Sequence, residues 1–164
     1  MTYYRRNIDQ KLLEWKDSPR RKPLLIRGAR QVGKSSAVRH FAKCFKYFVE
    51  VNLERQPSIR QLFTKDIDVK RTCEDISAST GIPIVAGKTL LFIDEIQVSQ
   101  EGIMSLRYFK EDYSELHVIA AGSLLEFTLE ELPSFGVGRI RSLYMYPFSF
   151  DEFLLAQGLD LTID

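Results

Sequence analysis

Gly28, Gly33, Lys34 and Ser35 stand at the spacing G-x-x-x-x-G-K-[ST] within "IRGARQVGKSS", residues 26–36. Two glycines let main-chain N–H groups crowd toward one point that a Cβ would obstruct, and a lysine and a hydroxyl follow directly. Such a stretch suits a polyphosphate. The loop residues Gly28, Ala29, Arg30, Gln31, Val32 and Gly33, with Lys34, Ser35 and Ser36 opening a helix, are the candidate phosphate ligands. Lys34 would neutralise the outer phosphates, and the Ser35 hydroxyl would face Mg2+. The second chemical stretch is "LLFIDEIQ", residues 90–97, an apolar run ending in two acids. Asp94 can share the cation with Ser35, and Glu95 can orient and deprotonate a water that attacks the terminal phosphate. Ser123 closes the apolar run "HVIAAGS" and is a candidate for sensing that phosphate. Arg139, after Gly138, could reach a transferring phosphate on its own chain or a neighbour's. Arg27 and Arg30 are weaker candidates, and His40 and His117 lack partners at metal-ligand spacing.

These residues need elements to hold them. "PLLI" before the glycines predicts a strand at 23–27, and Ala37, Val38, Phe41, Ala42 and Phe45 after them mark one face of a helix from about 34 to 45. Ile8, Leu12 and Trp15 mark an amphipathic helix over 4–17 that leaves through "DSPRRKP". "YFVEVNL" alternates as a strand over 47–53, while "SIRQLF" and "VKRTCEDISAST" read as helices, the second stopped by Gly81 and Pro83. "KTLLFIDE" is apolar almost throughout, as a central strand of a parallel sheet must be when both its faces are covered. A helix near 100–112, a strand in "LHVIAAGS", a strand in "IRSLYMYP" and a terminal helix in "SFDEFLLAQG" complete the order. Strands alternating with helices predict an α/β domain with right-handed crossovers and a ligand at the carboxyl ends of its strands. Because a strand at 47–53 intervenes in sequence, the strands carrying the glycine loop and the acids need not be sheet neighbours, and "HVIAAGS" is the candidate to sit between them.

The 164 residues suit one domain, with a helix and basic connector over 1–22 and a nucleotide-binding core over 23–157. Cys44 and Cys73 are too few for a disulfide framework and form no zinc spacing, which points to reduced thiols. The start "MTYYRRNIDQKLLEW" lacks the apolar centre of a signal peptide, and no apolar run approaches a membrane span, so a cytoplasmic location is expected. Net charge is +1, yet residues 1–46 hold 13 Lys/Arg against 3 Asp/Glu. That asymmetry favours an anionic ligand, or a nucleic-acid or acidic partner.

Together "LLIRGARQVGKS", "LLFIDEIQ", "AAGSLL" and "VGRIRSLYMYPFSFDEFL" resemble, in order, the pattern of a bacterial and archaeal group of AAA-superfamily ATPases, over roughly residues 20–157. The resemblance implies a three-layer αβα P-loop fold with a mostly parallel sheet of about five strands. It also implies ATP and Mg2+ as ligands, with Lys34, Ser35, Asp94, Glu95, Ser123 and Arg139 at the matching motif positions. Members usually carry Thr-Gly-Ser-Ser where this chain has Ala121-Gly122-Ser123-Leu124. They usually continue into a second domain, which implies that this chain is the N-terminal part of a longer protein. The leading expectation is an Mg-dependent ATPase that drives or gates an attached domain or partner and that could form homo-oligomers. The alternative is a nucleotide-dependent binding module for nucleic acid or protein with little hydrolysis. A small-molecule kinase fits less well, since no motif for a second substrate accompanies the Asp94–Glu95 pair.

Overall fold

Leu24, Leu25 and Ile26 are fully buried and form, with Arg27, the short strand β1 (Leu24–Arg27) of a computed structural model that describes residues 7–28, 33–123 and 138–146. Around it stand β2 (Tyr47–Asn52), β3 (Thr89–Asp94), β4 (His117–Gly122) and β5 (Arg141–Tyr144). They form one sheet in the order β2-β3-β4-β1-β5 in which every pair is parallel. All six residues of β3 and all six of β4 are buried, as strands covered on both faces require.

The helices are α1 (Asn7–Lys16), α2 (Lys34–Phe41), α3 (Pro57–Arg60), α4 (Val69–Thr80) and α5 (Gln100–Asp112). Strand side chains alternate between two apolar layers. Leu24, Ile26, Leu90, Phe92, Ile119 and Ala121 pack with Ile8, Leu12 and Trp15 of α1 and Ala37, Val38 and Phe41 of α2. Leu25, Val49, Val51, Leu91, Ile93 and Val118 pack on the other face with Ile59, Ile76, Ile103 and Phe109 of α3, α4 and α5. Each such side chain taken fully from water contributes about 1.5–3 kcal/mol, so the two layers fix which face every strand residue takes. The result is a three-layer αβα architecture, and β4 lies between β1 and β3 as its sequence position predicts.

Boundaries move where local hydrogen bonding changes. The helix expected to 45 is α-helical to Phe41 and finishes as a 3-10 turn, Ala42–Cys44. "SIRQLF" keeps only α3, after which Leu62 and Phe63 bond back to Ile59 and Arg60 in tighter i to i−3 turns that bury Phe63. The first residues of the expected 4–17 helix and the helix expected over 149–158 lie outside the described residues.

Candidate functional site

The site sits at the carboxyl ends of β1, β3 and β4, where α2 begins. Period-two alternation continues past Phe92 and Ala121 to Asp94 and Ser123, placing both on the face that α2 covers. Gly33 caps α2 at φ 91° and Gly28 leaves β1 at φ 155°, conformations that favour glycine. The eight-residue helix therefore starts with its unpaired N–H groups and positive dipole end toward the loop.

Lys34 is buried, and its Nζ donates to the Gly28 carbonyl at 2.9 Å, closing the base of the loop. Ser35 Oγ donates to Asp94 Oδ2 at 2.8 Å across the cleft between α2 and β3. The other carboxylate oxygen of Asp94, Oδ1, accepts the Glu95 N–H at 2.8 Å. Burial raises the Asp94 pKa; the Ser35 hydroxyl and the Glu95 N–H oppose that shift, and the nearby Glu95 and Glu50 charges add to it. Ser123 is buried, and its Oγ has no hydrogen-bond partner among the described residues. Ser36 is exposed in the first turn of α2, and Ala29, Arg30, Gln31 and Val32 lie outside the described residues.

Glu95 is the one non-glycine among the described residues with positive φ, at φ 53° and ψ 43°. This left-handed step turns the chain from β3 into a 3-10 turn, Ile96–Val98, with Ile96 fully buried as its anchor. The turn brings Gln97 Nε2 to 2.6 Å from Glu95 Oε2, a charge-assisted hydrogen bond. One turn further along α2 from Ser35, Arg39 forks onto Glu50 of β2 with donor–acceptor distances of 2.8 and 2.7 Å. Hydrogen bonding to Glu50 raises the Arg39 pKa. Neither contact follows from motif spacing. Gln97 carries a signal only in lying two residues beyond Glu95, while Arg39 and Glu50 meet through the α2–β2 packing alone.

Arg139 is not brought to this cluster. It precedes β5, at the amino-terminal edge of the sheet, and its Nε pairs with Glu111 Oε1 of α5 at 2.7 Å. That edge is a strand's length from Gly28, on the order of 15 Å. The basic connector lies at the same far edge. Trp15 Nε1 donates to the Lys22 carbonyl at 2.7 Å, and Arg21 donates to the carbonyls of Ser114 and Glu115 at 3.3 and 2.9 Å. Burial, partly countered by Glu115, lowers the Arg21 pKa. Described basic residues of the first segment are thus split between the two ends of the sheet instead of ringing the glycine loop.

The donor set tests the fit of a cation. Mg2+ takes hard oxygen ligands and keeps waters and phosphates for the remainder, so one hydroxyl and one carboxylate at 2.8 Å from each other form a suitable protein share. No group of three His, Cys, Asp or Glu side chains among the described residues builds an all-protein cage. No helix among them is long and apolar enough to cross a membrane. A family model described as an AAA domain matches residues 20–154, a span that contains the glycine loop, the acidic strand and Ser123. No curated protein matches the chain.

Proposed function

The chain belongs to the AAA-domain family, and from that premise we propose that it binds Mg-ATP at the carboxyl edge of its sheet and hydrolyses it, driving or gating an attached domain or partner in the cytoplasm. One observation carries this reading: the Ser35 hydroxyl and the buried Asp94 carboxylate meet at 2.8 Å beside the start of α2. A phosphate-loop serine and a strand-end carboxylate 59 positions apart have little structural reason to meet in a half-buried cleft unless they serve one ligand.

The loop amides and the α2 N-terminus receive the phosphates. Lys34 exchanges its Gly28 carbonyl for phosphate oxygens, a change that trades one acceptor for a charged one. Ser35 and Asp94 would hold Mg2+, which when bound neutralises charge on the outer phosphates. Glu95 orients a water in line with the γ-phosphorus. As the water oxygen bonds to phosphorus, the bond to the bridging oxygen breaks, its electron pair leaves with ADP, and the water's proton passes to Glu95. Ser123 offers its buried hydroxyl, which has no hydrogen-bond partner among the described residues, to the γ-phosphate side of the cup. Arg139 serves a neighbouring chain's nucleotide, since it stands at the far edge from its own.

That placement favours a second reading in one respect: a chain whose assigned arginine lies far from its own cup hydrolyses slowly alone and acts chiefly as a nucleotide-dependent binding module. Thermal denaturation separates binding from turnover. ATP with Mg2+ at about a hundred times Kd should stabilise the fold by roughly 2.7 kcal/mol, and Lys34→Ala should abolish the shift. Glu95→Gln should keep the shift and lose phosphate release. An unshifted wild-type melt across millimolar Mg-ATP would end the nucleotide reading.

A further inference from the structure

Gln97 is the group at this site for which phosphate, cation and water assignments leave no role. Its amide donates to Glu95 Oε2 at 2.6 Å, and because a carboxylate oxygen can only accept, Nε2 is fixed as the nitrogen on that side. The carbonyl oxygen Oε1 therefore faces elsewhere; it is buried and has no hydrogen-bond partner among the described residues. A buried acceptor left unsatisfied costs about 1–3 kcal/mol, so a side chain kept for packing alone would be better served by an apolar group of the same shape.

The backbone around Gln97 is built to hold it in place. Glu95 adopts the left-handed conformation, which a non-glycine residue takes only at a cost that its surroundings must offset. Ile96 is fully buried, and Ser99 bonds back to the Ile96 carbonyl at 3.0 Å while its side chain accepts the Gly102 N–H at 2.9 Å. The turn is thus pinned on both sides of Gln97, and the Gln97 amide is delivered to Glu95 by a fixed piece of chain.

We propose that Gln97 is the positioning residue for Glu95: its N–H holds one carboxylate oxygen, so that the carboxylate presents its other oxygen to the attacking water. The proposal rests on the reading of Glu95 as the base.

Single-turnover phosphate release from Mg-ATP with the whole chain in excess, together with calorimetric Kd values, tests it on Gln97→Met, Gln97→Glu, Gln97→His, Glu95→Gln and the double variant Glu95→Gln/Gln97→Met. Gln97→Met, similar in shape and without the amide, should bind Mg-ATP within about threefold of wild type and lose ten- to a hundredfold in rate. Gln97→Glu, which keeps the shape and has no donor when ionised, should lose as much, so the result survives if the methionine variant does not fold. Gln97→His retains an N–H and should recover part of the rate. In the Glu95→Gln background Gln97→Met should cost less than twofold more. Full activity in Gln97→Met and Gln97→Glu beside an inactive Glu95→Gln would overturn the positioning role and leave the base standing. An equal loss from Gln97→Met with and without Glu95 would overturn it too. Full activity in Glu95→Gln would remove the base reading and this proposal with it.

Discussion

On the proposed reading, the cost of burying Asp94 in the fold is tied to the cation that it would hold. Burial raises its pKa, so at neutral pH the ionised carboxylate is held by one hydroxyl and one N–H in surroundings that disfavour its charge. A raised carboxyl pKa means that the folded state binds the proton more tightly than the unfolded one. The stability it confers is present below the ordinary carboxylate range and is lost as pH rises through the folded value. A cation shared with Ser35 would reverse that penalty. Asp94→Asn should therefore melt no lower than wild type without nucleotide, and should lose most of the stabilisation that Mg-ATP gives wild type. Melts in the two conditions check both halves, and a variant that is both less stable alone and fully responsive to Mg-ATP would break the link between burial and cation. Ser35 and Asp94 are legible in sequence because their types and positions are those the chemistry demands. Gln97 is not, because its contact depends on the left-handed turn at Glu95, and nothing in "DEIQ" announces a positive φ on glutamate.

Between β3 and α5 the chain turns within a few residues, and Gly102 in the first turn of α5 sets how closely that turn can pack. A Cβ there would stand 3.1 Å from Leu53 Cδ1 and 3.1 Å from Ser99 Oγ, the atom that caps the helix. Glycine inside a helix ordinarily costs about 1 kcal/mol relative to alanine, so Gly102→Ala would stabilise an open helix. Here the crowding acts on the cap itself, and overpacking of this kind costs about 1–3 kcal/mol. The expected net result is a loss of about 1 kcal/mol and, through the displaced Ser99, slower phosphate release with Kd for Mg-ATP unchanged. Chemical denaturation and the hydrolysis assay read the two effects, and a stabilised variant with full activity would show that the turn does not depend on this packing. The same stretch marks what periodicity conveys about elements. α5 spans 100–112, where a helix is expected, and "VKRTCEDISAST" is α4 over its whole length, with Asp68 accepting the Arg71 N–H at its start and left-handed Gly81 at its end. The turns that aim side chains are set by one or two backbone angles and leave no periodic trace.

Across the whole molecule the sheet separates two ends with different work. At the amino-terminal end His117 Nε2 lies 3.1 Å from the Lys16 carbonyl, which can only accept, so that nitrogen carries the proton in the neutral ring. Trp15 and Phe45 meet the ring edge-on at centroid distances of 5.5 and 4.9 Å, and burial drives the His117 pKa from 6.5 down to about 4. A depressed histidine pKa leaves the unfolded chain holding more protons between those values, so stability falls as pH drops from about 6.5 toward 4, by at most about 1.4 kcal/mol per pH unit. Denaturation midpoints of His117→Phe should fall less over that window than those of wild type, and identical slopes would exclude the histidine as the cause. This end was only partly legible: alternating strands and helices predict the layers and the place of β4, but not that the basic connector is folded against the edge remote from the glycine loop. Arg139 lies at that remote edge too, tied to Glu111, which also binds Arg107 at 3.3 Å. On the proposed reading Arg139 serves the nucleotide of another chain. Specific activity should then rise with protein concentration as chains meet, and such fingers are worth roughly 10³–10⁵ in rate where they operate. Arg139→Ala should flatten that rise without changing the Kd for Mg-ATP. Mixing it with Lys34→Ala should restore activity, because the Lys34→Ala chain supplies the arginine and the Arg139→Ala chain the intact cup. No activity from the mixture, under conditions where wild type is active and both variants are folded, would assign Arg139 to its ion pair alone.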